Sequence, residues 1–168
     1  MASEPRVGTG ASAAGAGRSK MVVFLVLLVS FAVLRLTGFL GLAVLDNWNL
    51  PLRLALFLMF LVSASAHWGR GRADLIRMVP TALPAPGILV TITGLLEIAG
   101  AVGLLLPQTA PAAAVCLAVL LIALFPANVR AARHGFTILG RPAMSVAVRG
   151  AMQAVFVVAL VAAATLNS

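Results

Sequence analysis

From Ile88 to Leu106 the chain runs nineteen residues with a single charge, Glu97. Wound as a helix at about 1.5 Å per residue, that stretch is roughly 28 Å long, close to the hydrocarbon thickness of a bilayer. Four more stretches have the same character: Met21–Leu45, broken only by Arg35, Leu50–Trp68, Ala112–Val129 and Ser145–Leu166. Backbone amides in hydrocarbon must be satisfied internally, so apolar runs of this length predict helices rather than open strands. The expected fold class is therefore all-α, a polytopic transmembrane bundle of five helices.

Composition supports the same solvent. Hydrophobic residues make up 62% of the chain and charged residues 10%, with a mean hydropathy of +1.11. A soluble domain carries roughly a quarter charged residues, which this chain lacks for covering a water-facing surface. Its formal charge of +8 would suit nucleic acid, but the basic residues sit at the ends of apolar runs rather than in one patch, so nucleic acid is excluded as a partner. Lipid is the partner the composition demands.

The connections carry the punctuation of a membrane protein. Residues 1–20 are rich in Gly, Ala and Ser and read as a flexible tail ending in Arg18-Ser19-Lys20. A basic then apolar start also describes a signal peptide. The run to Leu45 is longer than such a region, with no convincing small-residue cleavage site behind it, which favours a retained helix. Asp46-Asn47-Trp48-Asn49 is a polar turn, and Pro51 suits the first turn of the next helix. The segment 69–87 is expected to lie at the interface: Arg70, Arg72 and Arg77 alternate with Leu75, Ile76 and Val79, then Pro80, Pro84 and Pro86 stop any helix. Pro107 to Pro111 is an uncharged turn, and Pro126 is placed to bend the fourth span.

Five spans bring ten of the twelve basic residues to one side: Arg6, Arg18 and Lys20; Arg70, Arg72 and Arg77; Arg130, Arg133 and Arg141; and Arg149. By the positive-inside rule the N-terminus is cytoplasmic and the C-terminus external. Arg53, the exception on the other side, is expected to snorkel outward.

Within Leu61–Asn128 several fragments fall in a particular order: His67-Trp68; Met78-Val79-Pro80 followed by Leu83-Pro84-Ala85-Pro86; Gly94-Leu95-Leu96-Glu97-Ile98 followed by Gly103-Leu104-Leu105; and Phe125-Pro126-Ala127-Asn128. Arg149 and Gln153 follow in the last span. This order resembles the DoxX-like family of small bacterial membrane proteins. The resemblance implies a four-helix core over residues 50–168, with the helix at 21–45 as an N-terminal addition, in a bacterial cytoplasmic membrane. Some members of that family are linked to redox complexes with quinone as acceptor, and many have no assigned activity.

Glu97 is the leading candidate for chemistry. At mid-span an unpaired charge costs about 3 kcal/mol on insertion scales, so it needs a partner or a proton. Arg35, at similar depth in the first span, is one candidate partner. Two readings of Glu97 stand: a clip between helices, or a proton-handling or ligand-binding group. His67 closes its span on the basic side and could donate to a quinone oxygen. As a metal ligand it would need His134, Asp74 or Cys116, which lack motif spacing, so no metal is expected. Asn128, Arg149 and Gln153 lie toward the same side; Arg149 and Gln153, four apart, share a helix face and with His67 could form one polar cluster. The bland alternative is snorkelling and capping at the membrane surface. Gly94, Gly100 and Gly103 on the Glu97 helix read as close-packing positions. Cys116, the only cysteine, permits no internal disulfide and reads as a small side chain in an apolar run.

The functional expectation from the resemblance is an accessory or organising subunit of a membrane redox complex, touching quinone and partnered by an oxidoreductase subunit. A permease or proton-coupled carrier built on Glu97 is the alternative, and a purely structural scaffold the third. With no cofactor motif visible, the chain is not expected to be an enzyme on its own, and homo-oligomerisation stays open.

Overall fold

A computed structural model describes residues 18–135, 137–138, 141–142 and 144–166 of the chain. Most of the expected tail, with Arg6, lies outside these residues, as do the side chains of Arg18, Lys20 and Arg141. The elements are α1 (Arg18–Phe39), α2 (Asn49–Ser65), α3 (Arg72–Met78), α4 (Pro86–Leu105), α5 (Ala110–Arg133), a two-stranded antiparallel hairpin β1 (Thr137–Ile138) and β2 (Arg141–Pro142), and α6 (Val146–Thr165). The protein is all-helical apart from that hairpin. Among the described residues four helices, α1, α4, α5 and α6, are long and apolar enough to cross a membrane.

The fifth apolar helix, α2, is shorter than the sequence suggested: seventeen residues, ending at Ser65 rather than Trp68. It is also the best enclosed. Pro51, Arg53, Ala55, Leu56, Met59, Phe60 and Ala64 are all buried, because α2 packs against α1, α4 and α6. Helices α2, α4, α5 and α6 close a four-membered ring, α4 on α5, α5 on α6 and α6 back on α2. The first helix lies against the α2 side of this ring, with Phe24 tilted against Phe156 of α6 at 6.1 Å. One continuous core runs through the ring, from Leu56, Met59 and Phe60 to Leu104, Leu117 and Leu160. Outward faces remain apolar, as at Leu36, Ile88, Val119 and Val158, the surface that lipid chains would solvate.

The first helix ends six residues before the expected Leu45, and packing explains why. Gly41 takes a left-handed φ of +114°, and a 3₁₀ turn, Ala43–Leu45, folds back onto α1. The Leu45 carbonyl comes so close to Gly38 that a Cβ there would lie 2.5 Å from its oxygen. Pro126 does not end α5, which continues to Arg133. The segment after Ser65 contains a short helix, α3, where one was expected, stopped by extended Val79 and Pro80.

Helix directions alternate, which sorts the ends. Asn49 at the start of α2 donates to the Leu166 carbonyl after α6, at 2.6 Å. Arg70, Arg72, Arg77, Arg130 and Arg133 therefore gather at the opposite end, where α4 and α6 begin and α2 and α5 finish.

Candidate functional site

The shortness of α2 sets the geometry. It stops part-way up α4, so that His67, in the turn behind it, lies directly against Gly94: a Cβ at Gly94 would sit 2.7 Å from the His67 Cβ. One helical turn further on, Glu97 Oε1 is 4.0 Å from His67 Nε2. Both residues are buried, His67 at 6% exposure and Glu97 at 3%. Only glycine at position 94 leaves room for the imidazole beside the carboxyl.

The hydrogen bond on the far side of the ring fixes what passes between the pair. His67 Nδ1 lies 3.2 Å from the Ala64 carbonyl, which can only accept, so Nδ1 carries the proton. Nε2 then meets Glu97 either as a bare lone pair facing a protonated carboxyl or as a second N–H facing a carboxylate. These two arrangements hold the same number of protons, and exchange between them requires the side chains to close from 4.0 Å to hydrogen-bond distance. A neighbouring guanidinium braces the pair. Arg72 donates to the His67 carbonyl at 2.8 Å, to the Gly87 carbonyl at 3.1 Å and to Thr91 Oγ1 at 3.0 Å, joining the end of α2 to the start of α4. Sequence reasoning treated Arg72 as an interfacial charge and missed this role; nothing in its local pattern marks which of the three arginines turns inward.

A second cluster joins α5 to α6. Arg149 Nη1 donates to Asn128 Oδ1 at 2.9 Å, and Asn128 Nδ2 donates to Gln153 Oε1 at 3.3 Å. Gln153 Nε2 in turn donates to the Leu121 carbonyl at 2.9 Å. Pro126 has no N–H for the Ile122 carbonyl, and Gln153 reaches into the turn that this omission loosens. The two clusters occupy the same third of the bundle. Leu117 packs on Gly100 and Ala113 lies against Gly103, and eleven residues beyond Leu117 Asn128 comes level with the first turns of α4. Counted along α4, that is about 8 Å from the level of Gly94 and His67.

Two arginines lie elsewhere than the sequence suggested. Arg35 does not meet Glu97. Its Nη1 donates to the carbonyls of Leu45, Asp46 and Asn47, at 3.0, 2.6 and 3.0 Å, and its guanidinium lies over the rings of Phe39 and Trp48. The tight turn after α1 presents three carbonyls in reach of one cation, a stronger draw than a carboxyl on a helix that α1 does not pack against. Arg53 does not snorkel outward either: it is 6% exposed, and its Nε donates to the Leu104 carbonyl at 2.5 Å, at the carbonyl-rich end of α4. Cys116 is exposed on α5.

These features define a helical membrane protein with buried polar side chains at both ends of its bundle, tied to backbone carbonyls at one end and gathered into side-chain clusters at the other. The chain belongs to the family described as "Domain of unknown function (DUF8561)", which matches residues 54–165, from the first turns of α2 to the end of α6. That match covers the four-helix ring and leaves α1 outside it. No curated protein and no solved structure matches the chain.

Proposed function

We propose that the protein is a small proton-coupled carrier in which His67 and Glu97 handle the proton. The observation that carries this reading is the buried carboxyl–imidazole pair at 4.0 Å, its tautomer set by the Ala64 carbonyl. An isolated charge at this depth is expensive, whereas a carboxyl and an imidazole this near each other can pass a proton between them once a small side-chain movement closes the gap. The test is proton movement into proteoliposomes carrying an internal pH-sensitive dye. Glu97→Gln keeps the shape and removes the titrating group. Loss of dye response in that variant supports the reading, and an unaltered response overturns it.

A second reading, the accessory subunit of a membrane redox complex in contact with quinone, rests on the DoxX-like sequence resemblance. One observation favours it: the residues that carry the resemblance meet one another, His67 with Glu97 and Asn128 with Arg149 and Gln153. Co-purification of an oxidoreductase from native membrane, lost when His67 is replaced by Ala, would favour this reading over the carrier. For location, the arginines on one set of connections support a bacterial cytoplasmic membrane with that end inside. A phosphatase fused behind Ser168, active only outside the membrane, tests that orientation.

A further inference from the structure

Arg149 is out of place in two ways. It is 4% exposed in an apolar bundle, yet its side chain makes a single hydrogen bond, to a neutral amide oxygen, and its Nε is enclosed without an acceptor. Arg35 Nε and Arg53 Nη2 are also enclosed without an acceptor, but those two guanidinium groups lie in a field that favours a cation, Arg35 facing three carbonyls and Arg53 the carbonyl end of α4. Arg149 lies instead in the first turn of α6, four residues after the Ser145 cap, where the unpaired amides make the local field positive. That field repels a guanidinium and attracts an anion. Nor do the described residues provide the missing negative charge. Of the three acids among the described residues, Asp74 pairs with Arg77, Asp46 is exposed in the turn before α2, and Glu97 faces His67.

We infer that Arg149, held by Asn128 and Gln153 at the start of α6, binds an oxyanion, the carboxylate or phosphate of a ligand that enters the basic end of the bundle. A guanidinium can present parallel N–H groups to two such oxygens. The amide chain from Leu121 through Gln153 to Asn128 holds one Nη in place without neutralising it. The inference rests on the carrier reading for its consequence: a monoanion on Arg149 travelling with one proton from the His67–Glu97 pair moves no net charge.

The test separates binding from transport. The full-length protein in an uncharged detergent is titrated with inorganic phosphate and with succinate at constant ionic strength set by chloride, and its melting temperature is followed. In a parallel arm it is placed in nanodiscs of phosphatidylcholine with or without phosphatidylglycerol. A rise with phosphate or succinate supports the site and assigns the ligand to a solute; a rise only with phosphatidylglycerol supports the site and assigns it to a lipid headgroup. No rise in either arm overturns it. Asn128→Asp distinguishes the site from non-specific anion effects, because it places a built-in carboxylate on the same Nη1. The expected result is a higher melting temperature without ligand and loss of the anion response; an anion response equal to wild type overturns the assignment to Arg149. Arg149→Lys, which keeps the charge but not the fork, should weaken the response at least tenfold in half-saturating concentration. If anions bind but the proteoliposomes show no proton movement, the carrier reading fails and the anion site stands.

Discussion

The two ends of the bundle treat buried arginine in opposite ways. At the end that holds the α1–α2 turn, Arg35 and Arg53 are tied to backbone carbonyls, which are fixed by the fold and do not titrate. At the other end, Arg149 meets a side-chain amide, and the neighbouring histidine meets a carboxyl. A cation clipped to main chain is a structural fastener, since its partner cannot leave without unwinding a turn. A cation held by side chains keeps donors in reserve, and its partners can rotate. Burial is the same at both ends; the kind of acceptor separates fastening from chemistry.

This contrast can be broken by mutation. The largest effect is expected at Arg35→Ala, which strands three carbonyls and removes two ring contacts. A loss of about 3 kcal/mol, read as a shift in denaturant midpoint in mild detergent, with proton movement retained by the folded fraction, fits a fastener. Retained stability would place Arg35 in the other class. Gly94→Ala comes next, at about 2 kcal/mol, because its Cβ would press on the His67 Cβ and the Trp68 ring; proton movement should fall as well, because His67 is pushed from Glu97. Gly100→Ala is the control on the same helix: its methyl would press on Cγ and Cδ2 of buried Leu117 at a similar cost in stability, but should leave proton movement in the folded fraction intact. Arg53→Gln should cost about 1 kcal/mol for the bond to Leu104 and leave transport intact. Smallest is Glu97→Gln, within about 0.5 kcal/mol of wild type in stability, with its whole effect on proton movement. A large stability loss there, with movement preserved, would make Glu97 a clip between helices.

Much of the architecture was legible because hydropathy and length report on lipid directly. The apolar runs, the short α3 with its proline stop, and the gathering of arginines at one end all follow from local composition. Where the sequence reading failed, the deciding contact was distant in the chain. Depth in its span made Arg35 a candidate for Glu97, but depth says nothing about azimuth, and α1 packs on α2 and α6. Position near a helix end suggested that Arg53 reaches for water, while the neighbouring α4 terminus offered a nearer acceptor. The glycines at 94 and 100 were readable as small; that one of them admits an imidazole required knowing where α2 ends. The hairpin at Thr137–Ile138 and Arg141–Pro142 left no recognisable alternation in so short a stretch.

Arg72 has a mechanical consequence. By gripping the last carbonyl region of one helix and the opening turn of its neighbour, it makes α2 and α4 a single stiff plank at the arginine-rich end. Three bonds in a poorly polarisable setting would have to yield before those two helices could part. Any gap that admits a solute from that end must therefore open somewhere other than between α2 and α4.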